Sequence, residues 1–362
     1  MTTMRIPFVA LAACLTCVAA TAQNFTVVPS QFANTDAIRA MNVAGTMGDG
    51  RQQILVGESR LAGLLGRDIT AIEFRRSAAD ETYAAGSANL TVTASIAPHP
   101  THGCSQTFAA NVGPNPVTVF SGVITAPSSP PEVGPTVSWD PDNVVRIPFT
   151  TPFPYTGGTL CLDLVGTAIA GQESSWWAAD AHCEVFPGQV TTDIGGGCGA
   201  YANADQKWSF VREYSLVPGG HVEMFAYGTP YGLAIAALGQ KSAVGTPLSL
   251  LGFNAPPGCD LFLSTIDVLQ ATVFVPDPHP ALITRGGRAD FELKVPAIPQ
   301  ALGFTLATQW FDWTQAASSN AIEWTLATAL PTLDMATVEG HPLSTSGTAN
   351  VHIAPVLRLE YQ

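Results

Sequence analysis

The sequence predicts an all-β protein: two consecutive β-sandwich domains, jelly-roll-like at the N-terminal side and Ig-like at the C-terminal side. Three observations predict it. Apolar and polar residues alternate with period two along much of the chain, which places them on opposite faces of strands. Gly and Pro number 33 and 28 in 362 residues, and they cluster between the alternating runs as turn signals. No stretch of comparable length carries the 3.6-residue period of a helix.

The first runs are ITAIEF (69–74), ANLTVTASI (88–96), TVFSGVI (118–124), NVVRIPF (143–149), TLCLDLV (159–165) and HVEMFAY (221–227). In ANLTVTASI, Leu90, Val92, Ala94 and Ile96 share one face, with Thr91, Thr93 and Ser95 on the other. In TLCLDLV, Leu160, Leu162 and Leu164 oppose Cys161 and Asp163. After a break at GTP (228–230) come LSLLGF (248–253), DLFLST (260–265), ATVFV (271–275), DFELKVP (290–296), LGFTLATQW (302–310) and IEWTLA (322–327). TLDMATV (332–338) and ANVHIAPVLRLEY (349–361) close the sequence. The expected divisions are therefore 23–228 for the first sandwich, 229–330 for the second, and 331–362 for a terminal strand pair completing a sheet.

The residues before the first sandwich read as a secretory signal. Arg5 precedes an apolar run from Ile6 to about Ala20, and Ala20-Thr21-Ala22 offers a small-residue cleavage site. Residues 1–22 are expected to leave, and the mature chain to start at Gln23. Leu11-Ala12-Ala13-Cys14 is a rival processing box that would leave a lipidated Cys14, although the apolar run continues past it. Both readings place the protein outside the cytoplasm, either secreted or at the cell surface or periplasm.

Charged residues make up 12% of the chain, about half the ~25% of an ordinary globular protein, and net charge is −13. The three lysines (Lys207, Lys241, Lys294) and scattered arginines make no basic face, which argues against nucleic acid as a partner. No later segment is apolar for long enough to cross a bilayer as a helix. In an oxidising compartment cysteines pair where geometry allows. Five remain beyond the signal: Cys104, Cys161, Cys183, Cys198 and Cys259. An odd count leaves at least one thiol free within a monomer. Cys183–Cys198, flanking a Gly-rich loop, is the expected bridge, with Cys104–Cys161 a second choice.

GRQQILVGESRL, ITAIEFRR, LTVTAS, SQTFAANVG, IPFTTPFPYTGGTLCLDL and WWAADAH occur in that order. In order and wording the chain resembles a family of secreted all-β proteins from planctomycete-type bacteria. LGFNAPPGCDLFLS and VPAIPQALGFTLATQW are similar to a module often attached to them. The resemblance implies a secreted all-β protein and assigns no catalytic or binding residue.

PHPTHGC (98–104) brings His99, His102 and Cys104 close together. A structural zinc site needs a fourth ligand, and no second cluster supplies one. A strand connection with one cystine half is the plainer reading. WDPDN offers Asp140, Asp142 and Asn143 as oxygen ligands for calcium, though the same residues form ordinary turns. No organic cofactor is implied. Trp176 and Trp177, with Asp180 nearby, and Trp310, Phe311 and Trp313 in TQWFDWT, offer rings for stacking on sugars. Adjacent tryptophans in a strand point opposite ways, so one of Trp176 and Trp177 belongs to a core. GxSxG, HExxH and a Cys–His frame are absent, and no catalytic residue is assigned. The expected function is noncatalytic: a structural or adhesive role with an envelope protein or polysaccharide as partner. A glycan-binding module, with or without calcium, is the alternative, and an extracellular hydrolase the third. An exposed tryptophan beside a groove favours the second, a carboxylate pair in a deep cleft the third, and free strand edges the first.

Overall fold

The computed structural model describes residues 24–37, 39–202, 207–276 and 286–362. The expected signal peptide (1–22), with Cys14 and the cleavage site at Ala22, lies outside them. The described chain is built of strands in several antiparallel sheets, with only short helical turns between them. Among the described residues no helix is long and apolar enough to cross a membrane.

A six-stranded sheet runs Thr348–Asn350, Met335–Gly340, Gly50–Val56, Leu160–Ala168, Gly86–Ile96, Val117–Ala126. A four-stranded sheet runs Asn24–Val28, Leu357–Tyr361, Arg67–Arg75, Val144–Tyr155. Between them lies the largest core. Ile54, Leu90, Val92, Ala94, Leu162 and Leu164 come from one sheet and Ile72, Phe74, Val145, Ile147, Leu357 and Leu359 from the other. The period-two pattern thus faces inward as read. A three-stranded ribbon of Arg39–Met41, Ala179–Cys183 and Ile353–Pro355 lies beside this pair.

A second pair of sheets follows. Five strands run Val190–Gly195, Ala317–Thr325, Thr305–Asp312, Leu233–Gly239, Val268–Val273. Four run Ser209–Val211, His221–Gly228, Gly287–Lys294, Val275–Pro276. Val222, Met224, Ala226 and Ala289 meet Ala234, Ala236, Leu238, Trp310 and Trp324 between them. The opposite face of the five-stranded sheet is covered by the hairpin of Lys241–Pro247 and Asp260–Leu263, with Leu261 and Leu263 packed on Ala307 and Phe311. The two groups meet where Leu55, Cys161, Ala336 and Val338, on the outer face of the six-stranded sheet, pack with Phe186, Val217 and Ala327.

Three strands that precede residue 228, beginning at Val190, Ser209 and His221, pair within this second group. The tail beyond residue 330 returns to the first: Met335–Gly340 pairs with Gly50–Val56, and Leu357–Tyr361 with both Asn24–Val28 and Arg67–Arg75. LSLLGF is not a strand. Leu248–Leu251 forms a 3-10 turn ending at Gly252, whose φ of 84° suits glycine, and Leu250 and Leu251 point to solvent.

The cysteine pairing also differs from the sequence reading. Cys198 is bonded to Cys259, while Cys104, Cys161 and Cys183 are free thiols. Cys183 ends a strand of the ribbon beside the first core, whereas Cys198 packs with Tyr201 and Trp208 under the five-stranded sheet. The stretch that read as a Gly-rich loop begins as Val190–Gly195, an edge strand of the five-stranded sheet, so the chain has already crossed from one group to the other between Cys183 and Val190. Cys104 and Cys161 share one buried cluster without being bonded. Burial pushes the Cys104 thiol up to about 12 and raises Cys161 further still, with Asp163 and Cys104 adding to the effect. Both are therefore inert thiols at neutral pH.

Candidate functional site

The residues named from sequence separate into structural and accessible ones. Trp177 is 1% exposed, lies in the first core and meets Tyr83 edge-on at 6.4 Å. Trp176 is half-buried and covers Gly86, where an added Cβ would sit 2.4 Å from the indole. Trp177 therefore offers no face to solvent, and Trp176 is only partly exposed. Asp180 is fully buried against Arg75, which is equally enclosed. It also accepts the Ala37 amide at 2.9 Å. Arg75 further donates to the carbonyls of Phe32, Thr35 and Val137 and lies over Trp139. The pair ties two loops to the sheet. Burial raises the Asp180 carboxyl to about 6, against the opposing pull of Arg75 and the Ala37 amide.

In WDPDN, Asp140 and Asp142 are exposed and Asn143 is buried. The Asn143 amide donates to Glu132 at 2.6 Å and to Ser138 at 2.9 Å, and its oxygen accepts the Ser129 hydroxyl at 2.7 Å. Asn143 is thus committed to holding the loop. Among the described residues no group of three or more His, Cys, Asp or Glu side chains is arranged to hold a metal ion. PHPTHGC forms a turn with a 3-10 segment at Thr101–Gly103. His102 is exposed, His99 is partly exposed and Cys104 is buried, so the three do not converge on solvent.

The accessible aromatic site lies in TQWFDWT. Strand alternation sends Trp310 into the second core and Phe311 to the other side of the sheet. The hairpin after Asp312 then turns Trp313 outward, leaving it 56% exposed. Asp312 builds that turn. One carboxylate oxygen accepts the Thr314 and Gln315 amides at 2.9 and 3.2 Å, the local bonding that favours Asp in turns. The other accepts the Tyr201 hydroxyl at 2.7 Å and the Thr229 hydroxyl at 2.9 Å. Phe253 stands beside the hairpin. Its ring lies nearly parallel to Phe311 at 6.1 Å and edge-on to Trp313 at 5.7 Å.

These three rings, with Leu248, Asn254 and Ala316, line a pocket of about 230 Å³. That is below the ~300 Å³ of the smallest drug-sized sites and suits one ring-sized group. Asn254 supplies an exposed amide at the mouth. The Phe253 loop is fixed by the bonds Phe253 N–H to Leu248 O and Leu248 N–H to Cys259 O, and Cys259 is bonded to Cys198. Sequence reasoning missed Phe253, because LSLLGF read as a strand. The nearby Pro256-Pro257-Gly258-Cys259 is the signal of a tethered loop that could have found it.

A carboxylate pair also emerges, from the direct pairing of Glu223 with Glu292 across two strands. It lies on the outward face of the four-stranded sheet, opposite Val222 and Met224, not in a deep cleft. Arg212 bonds Glu223 and Arg288 bonds Asp290, while Lys294 donates to the carbonyls of His102, Cys104 and Gly219. His221 is 3.9 Å from Glu292, and burial with Lys294 lowers its pKa to about 4, leaving it neutral. Burial, then Glu223 and Asp290, raises Glu292 to about 7. The folded protein thus keeps a proton that the unfolded chain releases near 4.5, so this group lowers stability as pH rises from about 4.5 to about 7. Glu292→Gln is expected to stabilise the protein at pH 8 by about 1 kcal/mol, reduced from the full shift by solvent at the open face, and to have little effect near pH 4.5. Thermal melts at the two pH values check this.

Searches found no matching family model, no matching curated protein and no matching solved structure.

Proposed function

We propose that this chain is a noncatalytic glycan-binding protein of the cell exterior, with the Phe253–Phe311–Trp313 pocket as its contact for a sugar ring. The observation that carries the reading is an indole 56% exposed beside a preformed aromatic pocket. Aromatic faces offer apolar area to the C–H face of a sugar, and Asn254 offers a polar handle for its hydroxyls. The short apolar run before Ala22 and the Cys198–Cys259 bridge support an extracellular or envelope location. The two groups of facing sheets support a jelly-roll-like first sandwich and an Ig-like second one. An adhesive role with a protein partner is the second reading. It is favoured by Val268–Val273, which ends the five-stranded sheet and exposes Leu269 and Val273.

The test is retention of the protein on a panel of insoluble polysaccharides, with calcium and with chelator. The parent is expected to be retained on at least one polymer. Trp313→Ala and Phe253→Ala are expected to weaken retention at least tenfold, and Trp313→Ala to leave the melting temperature unchanged. Loss with chelator adds calcium to the mechanism. Absence of retention on every polymer, or equal retention of Trp313→Ala, rejects the glycan reading and favours the adhesive one.

A further inference from the structure

A larger cleft, of about 430 Å³, lies beside the first core, lined by residues 39–45 and 47–52, by Ala181 and Cys183 of the ribbon, and by Glu339. Gln52 and Glu339 are directly paired across neighbouring strands. Their side chains share the face of Ile54 and Met335, toward the first core. The Gln52 amide donates to Glu339 Oε1 at 3.1 Å and to the Asn42 carbonyl at 3.2 Å. Both bonds come from its nitrogen, which leaves the buried Gln52 Oε1 without a partner. Gln52 itself is 3% exposed.

Glu339 is the anomaly. Its side chain is partly buried, and a carboxylate drawn out of water is normally paired with a cation or given several donors. Among the described residues its hydrogen-bond partner is the Gln52 amide, and no Lys or Arg is bonded to it. The cations lining the cleft are placed elsewhere. Arg51 is turned to the opposite face, where it binds Asp163 through two bonds and covers Phe108. Arg39 is exposed at the rim. Asp49, the other acid of the cleft, accepts the Ala168 amide. Burial accordingly raises the Glu339 pKa, with Gln52 opposing.

The cleft therefore holds an uncompensated negative group next to an orphan acceptor, in a volume suited to a small molecule. Met41, Val43, Ala44 and Met47 provide apolar wall around it. Glu339 alone, with Asp49 already accepting the Ala168 amide, does not make a divalent-metal site, which needs several oxygen ligands. It does suit a single ammonium, which brings one charge and three donors.

We propose that this cleft binds a small molecule carrying a primary ammonium group, with Glu339 as its counter-ion and Gln52 holding that carboxylate in place. The site is separate from the aromatic pocket and does not depend on the glycan reading. The test is titration calorimetry of the full chain at pH 7.5 with n-hexylamine and glucosamine, each against its neutral counterpart, n-hexanol and N-acetylglucosamine. At least one amine is expected to bind at least tenfold more tightly than its counterpart. Glu339→Gln is expected to abolish that difference, and Trp313→Ala to leave it intact. A second readout needs no ligand: at pH 8 Glu339→Gln should melt at or above the parent temperature, because it removes a partly buried charge that no bonded cation offsets. Equal binding of amine and counterpart, no binding of either amine at millimolar concentration, unchanged binding in Glu339→Gln, or a lower melting temperature for that variant overturns the proposal.

Discussion

Asp180→Ala is expected to destabilise the protein by about 3–5 kcal/mol, because it strands a buried guanidinium. Arg75 and Asp180 are both closed to solvent, so water cannot replace the lost carboxylate. The damage should also spread. The same guanidinium holds the Phe32, Thr35 and Val137 carbonyls, so a displaced Arg75 releases two loops together. Asp180→Asn, which keeps shape and one acceptor but loses charge, should cost less than Asp180→Ala. Replacing both residues, as Arg75→Met with Asp180→Leu, should recover part of the loss without restoring the parent, since three loop carbonyls still lack their donor. Urea unfolding of the three variants checks this through the midpoint at constant slope. A cost below 1 kcal/mol for Asp180→Ala shows that the pair contributes little.

Reduction of the Cys198–Cys259 bridge, or Cys198→Ser with Cys259→Ser, is expected to cost about 4 kcal/mol. The bridge closes a separation of 61 residues, and loop-closure entropy for that length gives this magnitude. The loop it closes contains Ser209–Val211, His221–Gly228, Leu233–Gly239 and Lys241–Pro247, so the unfolded chain gains freedom over strands that belong to three sheets. Its second consequence is local. Cys259 anchors the turn that carries Phe253, so the reduced protein should lose order in the aromatic pocket before it unfolds globally. Hydrogen exchange at residues 248–259, compared between oxidised and reduced protein, reads that order directly. Unchanged protection there would show that packing of Leu248 and Phe311 alone holds the loop.

The period-two pattern made most strands legible. Leu90, Val92 and Ala94, and Leu160, Leu162 and Leu164, face the core as their alternation requires. Leu233–Gly239 was not visible, because LAIAALG is rich in alanine, a weak strand former, and its place in the sheet comes from neighbours on both sides. The three leucines of Leu248–Leu251 misled for the opposite reason. A short apolar run does not distinguish a strand from a tight helical turn, and two of its leucines are exposed. The candidate site was legible only by residue type. TQWFDWT contained the right rings, but which of Trp310 and Trp313 reaches solvent depends on a hairpin made by Asp312. WWAADAH looked equally suitable and supplies a core ring, a ring covering a glycine, and a structural ion pair. The Cys183–Cys198 expectation failed because nearness along the chain does not survive a crossing between groups of sheets. The Glu339 cleft carried no local signal, since Gln52 and Glu339 are separated by most of the sequence.

The position of Leu357–Tyr361, inserted between Asn24–Val28 and Arg67–Arg75, imposes an order on biosynthesis. Asn24–Val28 emerges from the ribosome more than 300 residues before Leu357–Tyr361 and waits for that partner until Tyr361 has been translated. Met335–Gly340 imposes the same delay on the edge of Gly50–Val56. Long-range pairings of this kind are slow to form, because the chain between the partners must first be brought together. A nascent chain that has not yet reached Met335–Gly340 and Leu357–Tyr361 would therefore present two open strand edges, a liability for aggregation while it is being made. The same delay would keep the first group of sheets from locking early, so that the whole group closes in one late step.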